Sequence, residues 1–126
     1  MQYDKIFLID DEPLINAIQS LMIQKHFPET ELLRFNSARE ALKNLLDLDL
    51  ASTKLLIFLD LNMPVFDAID FLKELDSQDL KINPDIYILT FSKNPREIDF
   101  VENHKLVKDV FSKPLDAERI TSILQS

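Results

Sequence analysis

A chain of 126 residues with net charge −8, Cys 0 and Gly 0 is the size of one domain, burying roughly two thirds of its unfolded surface. No disulfide is possible, and phosphate-cradling glycine loops and dinucleotide fingerprints are excluded. The acidic balance argues against a nucleic-acid partner, since phosphate contacts need clustered Lys and Arg.

The opening MQYDKIFLID carries too short an apolar run for a signal peptide. Lys5–Ile9 reads instead as a strand ending at Asp10-Asp11-Glu12. Pro13 suits the first position of a helix, with Asp11 or Glu12 as its cap. Leu14, Ile15, Ile18, Leu21 and Met22 recur at helical spacing, an apolar stripe expected to face the core, and Pro28 ends the helix. Glu31–Phe35 is a weaker strand. Ser37-Ala38-Arg39-Glu40 has the form of a capping box, opening a helix with Ala41, Leu42, Leu45 and Leu46 on one face.

Leu55-Leu56-Ile57-Phe58-Leu59 is a continuous apolar run, the pattern of a strand buried on both faces in a parallel sheet, and it ends in Asp60. Asp67 caps a third helix with Ile69, Phe71, Leu72 and Leu75 turned inward. Asn83-Pro84 marks a turn, and Ile86–Thr90 reads as the fourth strand. Asn94-Pro95-Arg96-Glu97 caps a short helix ending near His104. Val107–Ser112 is the fifth strand, Lys113-Pro114 a turn, and Asp116 caps a last helix through Ile120, Ile123 and Leu124.

Strand and helix therefore alternate five times with short connections. The expected fold is α/β, a doubly wound five-stranded parallel sheet in the order 2-1-3-4-5, with residues 1–126 as a single domain. No apolar stretch approaches the ~18 residues of a membrane span, so no membrane partner is expected, and the lack of cysteine fits a reducing cytoplasm, the expected location.

Four of the strands end in polar residues: Asp10-Asp11, Asp60, Thr90 and Lys113. In a parallel sheet these ends share one edge, where open α/β sheets bind their ligands. Singly, Asp11 reads equally well as a helix cap, Thr90 as a strand former and Lys113 as a solvated charge. Together, crowded carboxylates repel one another and call for a cation. Oxygen ligands without His or Cys favour a hard ion such as Mg²⁺. A lysine and a hydroxyl opposite them suit an incoming dianion, so the set could take a phosphoryl group onto a carboxylate oxygen.

The stretches Leu8-Ile9-Asp10-Asp11-Glu12-Pro13, Asp60-Leu61-Asn62-Met63-Pro64, Ile88-Leu89-Thr90 and Phe111-Ser112-Lys113-Pro114-Leu115 stand in order across the chain. In these the sequence resembles the receiver domain of two-component response regulators, of a stand-alone type with no output domain after Gln125-Ser126. The resemblance implies that Asp60 accepts a phosphoryl group from a histidine kinase or phosphotransfer protein. Asp10, Asp11, Asp60 and the main-chain carbonyl of Asn62 would hold Mg²⁺, Asp10 through water. Lys113 would pair with the phosphoryl group, Thr90 would turn inward to report its presence, and Lys113-Pro114 would be cis. Such a domain is a phosphoacceptor rather than an enzyme, and it signals by contacting a downstream protein. Kinase docking would use the first helix, where Leu14, Ile15 and Ile18 are the candidates if they do not serve the core.

Four positions depart from the family pattern. Ala68 replaces a helix-opening glycine, a mild change if φ stays negative. Phe91 follows Thr90 where a small residue is usual, and its ring should narrow the approach to the phosphoryl site. Val110 stands three residues before Lys113 where an aromatic switch residue is usual, and Phe111 should face the other side of the sheet. Either Phe91 assumes the ring's role or Thr90 and its loop carry the output alone. Asp109 replaces a common glycine without evident chemical consequence. The competing reading is a pseudo-receiver that binds a partner without phosphorylation. An aspartyl-nucleophile phosphatase would need an acid two residues after Asp60, where Asn62 stands.

Overall fold

In the computed structural model, which describes residues 3–49, 52–78 and 84–125, the central run becomes the central strand. The strands are β1 (Lys5–Ile9), β2 (Glu31–Phe35), β3 (Leu55–Asp60), β4 (Asp85–Thr90) and β5 (Val107–Ser112). All pair in parallel, in the order β2-β1-β3-β4-β5, as expected for alternating units joined by right-handed crossovers. The helices are α1 (Pro13–His26), α2 (Ala38–Leu46), α3 (Ala68–Asp76), α4 (Pro95–Glu102) and α5 (Ala117–Leu124). Asn83, half of one expected turn, lies outside the described residues.

The two-residue period of the strands divides the core into two layers. Phe7, Ile9, Leu55, Ile57 and Leu59 pack with Ala41, Leu45, Phe71 and Leu72 of α2 and α3. Ile6, Leu8, Leu56 and Phe58 pack with Ile23 of α1 and with Ile120 and Ile123 of α5. Every residue of β3 is buried. Register then sets the site: Ile9 pairs with Leu59, so Asp10 and Asp60, one residue further on, emerge side by side.

The helix starts are built by local side chains. Ser37 accepts from Glu40 N, and Asp67 and Asp70 form a reciprocal capping box at α3. The α1 cap, Glu12, makes no side-chain bond, and Pro13 stands where a missing N–H costs nothing. Ala68 begins a helix, and the positive φ found nearby falls three residues earlier, at Val65 (71°).

Two apolar expectations are overturned. Leu14, Ile18 and Leu21 are exposed, and Ile15 is only half-buried, while Asn16, Gln19, Ser20 and Ile23 form the buried face of α1. The reason is specific hydrogen bonding rather than hydropathy. Asn16 Nδ2 donates to the carbonyls of Asp10 (3.0 Å) and Phe35 (3.1 Å), which sets the helix's rotation and turns its leucines outward. Leu46, at the last turn of α2, is likewise exposed.

Candidate functional site

At the carboxyl edge of the sheet, main-chain bonds hold the strand ends together. Asp10 N donates to Phe35 O, Leu61 N to Leu89 O, and Lys113 N to Thr90 O at 2.9 Å. These fix the backbone from which each polar side chain projects. The Lys113-Pro114 peptide is cis, as the resemblance implies.

Lys113 Nζ bridges two acids, 2.8 Å from Asp10 Oδ2 and 2.9 Å from Asp60 Oδ1, and all three side chains are nearly sealed from solvent. Asp11 joins them: one oxygen from each of Asp10, Asp11 and Asp60 lies within 4.8 Å of the others. Three carboxylates against one ammonium leave the cluster two positive charges short. Burial pushes the Asp60 carboxyl up to about 6, against the hydrogen bond and charge of Lys113, and the Asp10 charge adds to the rise. A group so displaced at a strand end marks a candidate functional acid.

The donor set suits a hard divalent cation, being all oxygen, carboxylate-rich and short of positive charge by two. The residues present therefore fit Mg²⁺. Asn62 completes the acid loop; its backbone N–H supports Asp60, and its side chain is exposed and reaches Glu97 of α4 at 3.3 Å.

Thr90 is buried, and its Oγ1 accepts from Ser92 N at 2.7 Å, which leaves the hydroxyl proton available to another acceptor. Phe91 is 63% exposed, and its ring centroid lies 5.3 Å from Lys113 Nζ, so the bulky ring does stand at the edge of the pocket. Phe111 stacks on Tyr87 (5.4 Å) on the α1–α5 side, whereas Val110 packs on the other layer, as strand alternation requires.

Of the candidates from the sequence, Asp10, Asp11, Asp60 and Lys113 form one cluster, Asn62, Thr90 and Phe91 stand beside it, and Val110 is set back in β5 against the other core layer. Three side chains beyond those candidates also take part. Gln19 Nε2 stands 3.4 Å from Asp10 Oδ2, Asn16 anchors α1 to the Asp10 carbonyl, and Arg34 Nε donates to Asn16 Oδ1 at 2.7 Å. Their signal was present as a second helical stripe, Asn16-Gln19-Ser20-Ile23, beside the apolar one. In the Asn94-Pro95-Arg96-Glu97 cap, Asn94 Oδ1 accepts from the backbone N–H groups of Arg96 and Glu97. The Glu97 carboxylate accepts from Asn62 and Ser92, and Ser92 Oγ takes the Asn94 N–H.

A doubly wound sheet of order β2-β1-β3-β4-β5 with a lysine-bridged acid cluster at its carboxyl edge is the architecture of a receiver-type domain. The response regulator receiver domain model matches residues 6–125, nearly the whole chain, and the protein belongs to that family. No curated protein matches the sequence. Among solved structures, a two-component response regulator from Cytophaga hutchinsonii superposes with a TM-score of 0.83 at 22% identity, covering 99% of this chain and 96% of that one. A receiver protein from Dyadobacter fermentans gives 0.84 at 19% identity, with coverage of 96% and 94%. The chemotaxis response regulator CheY4 of Vibrio cholerae gives 0.77 at 23%, covering 98% of each. At such identities the likeness speaks to the fold. Among the described residues, no helix is long and apolar enough to cross a membrane.

Proposed function

We propose that this receiver domain takes a phosphoryl group onto Asp60 from the phosphohistidine of a kinase or phosphotransfer protein. A carboxylate oxygen of Asp60 attacks phosphorus, the P–N bond breaks, and its electron pair returns to the imidazole, which takes up a proton. Asp10, Asp11, Asp60 and the Asn62 carbonyl would hold Mg²⁺, which when bound offsets charge on the phosphoryl oxygens. Lys113, now shared between two acids, supplies the ammonium that pairs with the transferred group. Thr90 has a free hydroxyl proton to donate to it. The observation that carries this reading is the Lys113 bridge within a cluster of three acids.

The donor's seat is the exposed stripe Leu14-Ile18-Leu21 of α1, flanked by Ile15. Leu14 and Leu21 are 68% and 69% exposed, so nothing in the domain's own core accounts for them. Output passes to a downstream protein through contacts that change when Thr90 and its loop respond, in the cytoplasm. Phe91 covers Lys113 and slows water's approach to the aspartyl phosphate.

Phe91 over Lys113 and Val110 in place of a switch aromatic favour a second reading, a phosphorylation-independent interaction module. One experiment separates the two. The protein and its Asp60→Asn variant are incubated with Mg²⁺ and a phosphorylated kinase core, and the intact mass is followed. A gain of one phosphoryl group confined to the unmodified protein is expected. No gain from several kinases, with no fluoroberyllate binding, would leave the interaction module.

A further inference from the structure

Gln19 is the oddest buried residue of the molecule. It is 1% exposed on the inner face of α1, where a side chain serving only the fold would be apolar. Among the described residues, its Oε1 is the buried side-chain polar atom that has no hydrogen-bond partner. A buried orphan of that kind costs stability, and an apolar residue of the same shape would avoid it. Reversing the amide would not help, because it would set a carbonyl oxygen against the Asp10 carboxylate. The orientation is therefore dictated by Asp10, and the orphaned oxygen follows from it.

Asp10 is itself 1% exposed. Its Oδ1 accepts from Glu12 N at 3.0 Å, and its Oδ2 from Lys113 Nζ at 2.8 Å, with Gln19 Nε2 standing further off at 3.4 Å from the same oxygen. While Lys113 is in place, Gln19 is the weaker of two donors to Oδ2. Asn16 holds that part of α1 through the Asp10 and Phe35 carbonyls, so the Gln19 amide is presented at a fixed height.

We infer that Gln19 is a positioning residue for the acid pocket, the donor that keeps Asp10 in place when Lys113 is drawn off to a phosphoryl group on Asp60. This rests on the phosphoacceptor reading above. One ammonium now serves two carboxylates, and a dianion arriving on Asp60 competes for it. The Asp10 oxygen that Lys113 leaves is buried, and a buried carboxylate oxygen without a donor is costly. Gln19 is already within reach of that oxygen. Its contribution is therefore larger in the occupied site than in the empty one, the condition for acting on affinity rather than on folding alone.

The test is Gln19→Met, which keeps the length and removes both the donor and the orphan. Calorimetry measures Mg²⁺ binding alone and fluoroberyllate binding in saturating Mg²⁺, and urea unfolding measures stability. Fluoroberyllate affinity is expected to fall about tenfold, the low end for one hydrogen bond to a charged group. Mg²⁺ alone should change less than threefold, because Lys113 still holds Asp10, and stability should be kept or raised. Equal fluoroberyllate affinity in variant and wild type overturns the role of Gln19. So does a fall in both affinities in step with a loss of stability, which is the mark of a merely structural residue. Gln19→Leu and the nearly isosteric Gln19→Glu repeat the test if the Met variant does not fold. A buried glutamate beside Asp10 takes up a proton and its O–H can still donate, so Gln19→Glu should keep more fluoroberyllate affinity than the donor-less Gln19→Leu. Wild-type affinity in Gln19→Leu overturns the inference. A wild-type protein that binds no fluoroberyllate overturns the phosphoacceptor reading itself, and this inference with it.

Discussion

Replacing Asp60 by asparagine should make the metal-free domain more stable at neutral pH, although it removes the atom on which the proposed chemistry depends. Burial holds the Asp60 carboxyl near 6 rather than at its ordinary 3.8, with the Asp10 charge adding to a rise that Lys113 only partly offsets. The sign follows from linkage. A folded-state pKa above the unfolded one means the folded protein binds the proton more tightly, so stability falls as pH rises from about 4 to about 6 and is level above that. An interval of about two units is worth about 3 kcal/mol at most, at 1.36 kcal/mol per unit. Asparagine is isosteric and uncharged, its amide oxygen can still accept from Lys113, and Lys113 keeps Asp10 at 2.8 Å. The expected gain is therefore about 1–3 kcal/mol at pH 7.5. Urea unfolding in the presence of a chelator, from pH 4.5 to 7.5, measures it: the wild type should weaken across that range, and Asp60→Asn should lack that decline. Added Mg²⁺ should then stabilise the wild type by mass action and stabilise the variant, which keeps Asp10 and Asp11, markedly less. If Asp60→Asn were the less stable protein in chelator at pH 7.5, Lys113 would be compensating the Asp60 charge fully, and the account of a pocket short of positive charge would fail.

Three further perturbations are expected to separate site from scaffold. Phe91→Ala should shorten the life of the aspartyl phosphate about threefold to tenfold, a barrier change of about 0.7–1.4 kcal/mol, read by the decay of the phosphorylated mass; an unchanged rate would remove the ring as a shield. Val65 is 95% exposed at φ 71°, a conformation that costs a β-branched residue about 1–2 kcal/mol, so Val65→Gly should raise the free energy of unfolding by about 0.5–1 kcal/mol after the entropy of glycine is subtracted. Ile18→Asp should leave the urea midpoint within error yet raise the KM for phosphotransfer from a kinase, and equal KM values would clear α1 of a docking role.

The sheet and its acidic edge were legible because strand alternation is local and strict. Leu55–Leu59 is too short for a core helix and is bounded by Asp60 and Pro64, so it reads as a doubly buried strand. Polar residues at four strand ends of a parallel sheet share an edge. The buried face of α1 was not legible, because two helical stripes compete there. Hydropathy favours Leu14-Ile18-Leu21, but Asn16 finds the carbonyls of Asp10 and Phe35, partners that exist only after β1 and β2 have paired. The Glu97 interaction was hidden for a related reason. A glutamate at the third helical position ordinarily caps its own helix, and only the fold brings Asn62 within its reach. Charge and period belong to the chain, whereas hydrogen-bond partners far apart in sequence belong to the assembled edge.

The rotation of α1 links these two kinds of information. Were the helix positioned by apolar burial alone, Leu14, Ile18 and Leu21 would face the sheet and no side chain from α1 would reach Asp10. The core beneath does not need them, since Ile23 and Phe27 complete the layer with Ile120 and Ile123 of α5. The polar ties therefore do two things at once: they place Gln19 beside the buried acid, and they oblige the leucines to face outward as an apolar surface. A phosphodonor seated on that surface would bear on the same rigid helix whose inner face holds Asp10. Exchanging Asn16 for leucine should then disturb both functions together, weakening fluoroberyllate binding and donor docking in one variant, whereas Ile18→Asp should disturb docking alone. Finding the two effects separable in Asn16→Leu would show that the helix is held in place by packing, and that its polar face serves the pocket independently.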